Sequence, residues 1–274
     1  MAAAAQVSQP EKSPGLRTAQ ILTALVLILT TVVAAGGIFI PGLYRFAPRL
    51  VIATQGQDLI TLLSLPVMLV AMLAAKRGSV RGAITWIGIL GYVSYSAMGA
   101  AFGYNMNEFF LIYVALFSLT VFALVAGVSS LHVAGMEQRF DAAAPRRAVA
   151  GFLTLMALLL SALWLSRIIP NMTVNPIPDT IEPYKYVYAL DLGIIIPLML
   201  LAAIWLWRWV TGGYLLAGCM LIKAVTMGLA LLSMNLFNLR AGQPLDPTEL
   251  LASYAFIAAG SLGMVFWLFR HCRG

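Results

Sequence analysis

Two ionisable side chains sit inside stretches whose hydrophobicity should exclude them: Asp191 in YKYVYALDLGIIIPLML and Lys223 in AGCMLIKAVTMGLALLSMN. A charge at membrane depth is costly unless it is paired or wet, so each marks a candidate site. Together a carboxylate and an amine suit ligand binding, ion coupling or proton transfer. Asp191 lies about two turns past Pro183, roughly 12 Å along a helix starting there, and is too deep to serve as a cap. Pro197 follows it, cannot donate to the backbone ladder and favours a kink beside it. The plain alternative for Asp191 is an exposed position near a thin membrane rim. Lys223 lies about 15 Å from a helix start at Gly213. Its stem leans toward that end, so snorkelling shortens its exposure to hydrocarbon without removing it. It needs a carboxylate, carbonyls, water or loss of its proton. Whether the two charges meet is left open by their positions.

Other candidates have stronger structural explanations. Asp58, Glu108 and Glu249 are expected near the same membrane face as Asp191, and convergent carboxylates would suit a cation, an amine or a proton relay. Yet Asn105 with Glu108, and Asp246-Pro247 with Glu249, read as capping boxes that satisfy free amides at helix starts. Asp58 likewise falls in a first turn after Gly56. Tyr113 and Tyr254 each follow an acid by five residues. Tyr92, Tyr95, Tyr104, Asn235 and Asn238 add polar groups to the same segments. Tyr44, Tyr184, Tyr186 and Tyr188 read as an aromatic belt. Met220, Met227 and Met234 form a stripe that serves packing or lines an adaptable cavity. Gly99-x-x-x-Gly103 is a close-packing signal.

The elements that must hold these residues are membrane helices. The chain has 274 residues, 61% hydrophobic and 10% charged, with mean hydropathy +0.92. Soluble domains carry about a quarter charged residues. Residues 1–17 read as a disordered polar tail. Apolar runs of bilayer length follow at Thr18–Ile40, Gln57–Ala75, Val80–Phe102, Glu108–Leu131, Ala148–Ser166, Tyr184–Trp207, Gly213–Phe237 and Thr248–Phe269. An all-α integral membrane protein of eight spans is expected. The net charge of +7 comes from Lys and Arg scattered between the runs, a topology signal and not a nucleic-acid face. Eleven basic residues fall on the side of the termini and five on the other, with Lys223 the seventeenth. The positive-inside bias puts both termini in the cytoplasm, in what is expected to be a bacterial plasma membrane.

A duplication is also legible. EFFLIY at Glu108 matches ELLASY at Glu249; Asp58-Leu leads into LPVML as Asp191-Leu leads into IPLML. Lys223 and Tyr92 each lie 26 residues beyond the corresponding prolines, Pro197 and Pro66. The expectation is two four-helix halves in parallel orientation, 18–131 and 148–274, joined by a cytoplasmic linker at 132–147. Transporters built from such repeats bind at the interface between halves.

Nucleotide, zinc, haem and Ser/His/Asp motifs are absent, and His132 and His271 form no ligand set. No cofactor or metal is expected, and no nucleic acid. The expected partners are the lipid bilayer and a small-molecule, cation or lipid ligand; a homo-oligomer is compatible with the pattern. The favoured function is binding or transport through a polar pocket opening to the extracytoplasmic side, formed by Asp191 and Lys223 with Asp58, Glu108 and Glu249 at its rim. The alternatives are a membrane-embedded enzyme acting on a lipid or isoprenoid by carboxylate acid/base chemistry, and a membrane scaffold or assembly partner whose charges pair for packing.

Overall fold

In a hydrocarbon solvent every backbone polar group must be satisfied within the chain, so long apolar runs become helices. The computed structural model describes residues 14–131, 136–174, 185–243 and 251–273. They form α1 (Pro14–Phe39), α2 (Pro48–Lys76), α3 (Val80–Gly103), α4 (Phe110–Ser130), α5 (Arg146–Ile168), α6 (Lys185–Trp207), α7 (Gly213–Arg240) and α8 (Leu251–Arg270). All eight are long and apolar enough to cross a membrane. The protein is an all-α, eight-span integral membrane protein. We call the end where α1 starts and α8 finishes proximal, and the other end distal.

α3 and α7 form the centre. α1 packs on α2 and α4, α2 lies along both α3 and α7, α5 packs on α6, and α8 packs on α7. The α2–α7 seam is tight because Gly56 lets the backbones meet: a Cβ there would lie 2.8 Å from Met234 main-chain atoms. α6 touches α3 chiefly through its first turn, then the two diverge.

Three boundaries differ instructively from the sequence reading. α2 begins at Pro48, with proline at the start where no backbone donor is missed. Arg49, Gln55, Gly56 and Gln57 dilute its apolar signal, yet Thr54, Gly56 and Asp58 are buried by neighbouring helices. Asp58 is therefore about 15 Å inside the helix and caps nothing. α4 begins at Phe110, so Glu108 is not its third residue. The local hydrogen bond there comes from Asn107, whose Oδ1 accepts from the Phe109 amide at 2.9 Å. Finally, α6 opens into a π-turn at Asp191–Ile195, where the Ile196 amide bonds the Asp191 carbonyl. Pro197, next in line, has no amide to offer, and the wider turn accommodates that loss.

At the proximal end the residues before α5 clasp the C-terminus. The Arg273 amide donates to Arg139 O at 2.6 Å and the Asp141 amide to His271 O at 3.0 Å. His271 Nδ1 meets Asp141 Oδ1 at 2.9 Å, and Phe140 stacks on Tyr214 with centroids 4.3 Å apart. Arg146 lies 3.6 Å from the centre of the Trp209 ring, a cation–π contact. Cys219 and Cys272 are both free thiols.

Candidate functional site

Asp191 and Lys223 are both buried, at 6% and 7% exposure. They face one another across Tyr95 of α3. The Lys223 ammonium sits 4.2 Å from the centroid of the Tyr95 ring. The Tyr95 hydroxyl donates to Asp191, and the two charges interact electrostatically. Trp164 of α5 supplies Asp191 with a second donor, Nε1 to Oδ2 at 2.8 Å, and Tyr188 packs against that indole with centroids 5.0 Å apart. The π-turn matters here because Asp191 is its first residue and its extra width sets where the carboxylate points.

The charge balance is uneven. Asp191 accepts from an indole and a phenol. Lys223 has three N–H donors but, among the described residues, receives only an aromatic face and the field of Asp191. A cation–π contact supplies about 0.5–2 kcal/mol, whereas the effective penalty for burying an ion is several kcal/mol. The ring alone does not offset the burial of the ammonium.

Beside this pair is a cavity of about 490 Å³ between α4 and α6, floored by α3 and α7. α4 and α6 share no packed seam across it. Its walls are mainly aliphatic, with Lys223, Tyr95 and Ser94 as inner polar groups. Gly91 opens onto it: a Cβ there would meet nothing within 4 Å. Val125 and Val128 on α4 and Ile194 on α6, at the cavity's edge, are 59%, 42% and 40% exposed, so the hollow faces the surrounding lipid. It runs from mid-bundle toward the proximal end.

The remaining candidates do not gather there. Asp58 is buried at 7% and accepts from Tyr44 OH at 2.6 Å. Burial, and secondly the carboxylate itself, raise the Tyr44 phenol far above its ordinary range, keeping it a donor. Gly37 leaves the space these two groups occupy. Tyr92 is fully buried and bonds Thr61 at 2.9 Å, while Gln57 reaches Ser96 at 3.2 Å. A second hollow of about 30 Å³, room for a water molecule, adjoins Asp58 and the Thr30 hydroxyl, which has no hydrogen-bond partner among the described residues. Glu108 is exposed and forms an ion pair with Arg45 at the distal surface. Tyr113, fully buried, receives Asn107 Nδ2 at 3.1 Å. Asn235 is buried on α7 about three turns distal to Lys223 and donates to Leu231 O at 2.9 Å. Tyr254 lies half-buried on α8. Glu249 and Asp246, read from the sequence as its cap, together with His132 and Tyr184, lie outside the described residues.

Trp164 and Tyr188 were not legible as site residues. Trp164 is distant in sequence, with nothing local to mark it. Tyr188 had one available signal: it precedes Asp191 by three residues, which puts it on the same helix face. Tyr186, expected in the aromatic belt, lays its ring on Gly99 and Gly103 of α3. The glycine pair thus receives an aromatic ring and not another helix backbone. Of the methionine stripe, Met220 lines the cavity, while Met234 belongs to the α2–α7 seam.

No protein-family model, no curated protein and no solved structure matches this chain.

Proposed function

We propose that this protein binds or transports a small molecule at a site centred on Lys223, Tyr95 and Asp191, between two four-helix halves, 18–131 and 148–274. One observation carries the reading: a buried ammonium without a hydrogen-bond acceptor among the described residues borders a cavity of about 490 Å³, within the range of small-molecule pockets, about 300–1,000 Å³. On the positive-inside bias we take the proximal end as cytoplasmic, and we take the membrane to be a bacterial plasma membrane. In this conformation access runs from lipid and the cytoplasmic half. An outward opening, as transport to or from the extracytoplasmic side requires, would come from parting the distal contacts around Tyr44–Asp58 and Arg45–Glu108.

The test is to purify wild type, Lys223→Met and Asp191→Asn in lipid nanodiscs and profile small molecules retained by each. The expected result is a species held by wild type and lost from both variants, with helical content and monodispersity unchanged. Identical content in all three would reject the reading. A second reading, an enzyme acting on a lipid or isoprenoid, is favoured by the cavity's exposure to lipid; conversion of membrane lipid by wild type would select it. If both charged residues serve only packing, as in a scaffold, their joint replacement by apolar residues leaves every ligand measurement unchanged.

A further inference from the structure

We infer that the hollow between α4 and α6 holds an anionic single-chain amphiphile drawn from the bilayer, its carboxylate on Lys223 Nζ and Ser94 Oγ and its chain along the aliphatic walls. This deepens the proposed reading of the Lys223 site and rests on it. Four observations point to this ligand class.

First, the unmet group is a donor. Asp191 is already supplied by Trp164 and Tyr95 and does not line the hollow, whereas Lys223 does and lacks an acceptor among the described residues. A cation or amine would find no free carboxylate there; an oxyanion finds the ammonium. Second, Ser94, at 2% exposure, lines the same hollow, and its hydroxyl has no hydrogen-bond partner among the described residues. A hydroxyl and an ammonium bordering one space suit the two oxygens of a carboxylate. Third, apart from Tyr95, Ser129 and Cys219 the rest of the wall is apolar, with Ile87, Leu124, Leu198 and Met220 among its side chains, which would leave a polar body poorly solvated but accept a hydrocarbon chain. Fourth, the exposed Val125, Val128 and Ile194 put the opening on the lipid-facing side, the route by which such a molecule would arrive. The Asp191 carboxylate bears on the ligand from behind the Tyr95 hydroxyl; its repulsion is what Lys223 and Ser94 must exceed.

The experiment uses the full chain in nanodiscs and a C16 fatty acid carrying a diazirine in its chain, with the matching fatty alcohol as neutral probe. Photo-adducts are counted by intact-mass spectrometry and mapped by peptide. The acid is expected to label α4 and α6 of wild type. Lys223→Met should lower labelling about tenfold, the scale of one charge-assisted hydrogen bond. Gly91→Leu, which projects into open space, should block it. On wild type alone, whatever the variants' folding, unlabelled palmitate should compete and hexadecanol should not. Labelling by acid and alcohol alike, stopped by Gly91→Leu but indifferent to Lys223→Met, overturns the anionic assignment and leaves the hollow a ligand site. Labelling indifferent to both substitutions, and uncompeted, overturns the inference and the site reading together.

Discussion

At Tyr95 one side chain does two jobs: its ring faces the Lys223 ammonium and its hydroxyl serves Asp191. The two can be separated. Tyr95→Phe keeps a ring for the cation and removes a hydrogen bond to a charged group, a loss of about 1.5–3 kcal/mol. Tyr95→Leu removes both and should cost more. Unfolding in SDS titrations is expected to rank wild type above Tyr95→Phe above Tyr95→Leu; equal midpoints would mean that the ring and hydroxyl carry none of the pair's stability. Trp164→Phe tests the same carboxylate from α5 and should destabilise by a similar amount as Tyr95→Phe. Buried ionisable residues announce themselves in sequence because their types are wrong for their surroundings. Their partners do not: Trp164 and Tyr188 look ordinary in a membrane helix, so only the placement of Trp164 on Asp191 and of Tyr188 on Trp164 gives them a role.

Helices decide where such residues face, and in α6 that depends on the π-turn. Five residues, Asp191–Ile195, occupy that wider turn. Deleting Gly193 should restore α-helical spacing and rotate Asp191 by about 100° against the rest of α6, away from Tyr95 and Trp164. Gly193 borders open space, so no packing is lost with it. The expected outcome is a folded protein that has lost the small molecule retained by wild type; retention of that ligand would show that the π-turn does not set the site. In the α2–α7 seam the prediction concerns stability. Gly56→Val forces a branched side chain against Met234 backbone and should cost about 1–3 kcal/mol or more, read as a lower SDS midpoint. At the proximal end, truncation after Arg270 removes the strand-like pairing with residues 139–141. Faster protease cleavage before α5 is the expected result, and unchanged cleavage would assign that segment its own stability.

For the whole molecule, the proposed duplication and the cavity are connected. If the halves are related, the mate of the α2–α7 seam is α6 against α3. The first is closed on Gly56, whereas the second diverges after the first turn of α6 and borders the hollow. The site then lies where the two-fold relation fails, with Lys223 at the position that Tyr92 holds in the first half. Fragments 1–131 and 148–274 expressed together should assemble and recover ligand retention. Failure of either fragment to insert alone would mean that the halves are not independent folding units.

What the sequence determined by itself was the solvent and its consequences. Hydrocarbon demands internally bonded helices, so the eight spans, and the two charges that violate their surroundings, were fixed by composition and run length. Local order was less secure, because Asp58 reads as a helix start until α2 is seen to begin at Pro48, ten residues earlier. Only the tertiary structure decided that Asp191 and Lys223 meet through Tyr95, that Asp58 pairs instead with Tyr44, and that the space left over lies between α4 and α6. Those outcomes depend on which helices approach closely and which stand apart, set by small residues such as Gly56 and Gly37 acting on partners far away in the chain. A periodic apolar run carries no record of the neighbour it will meet.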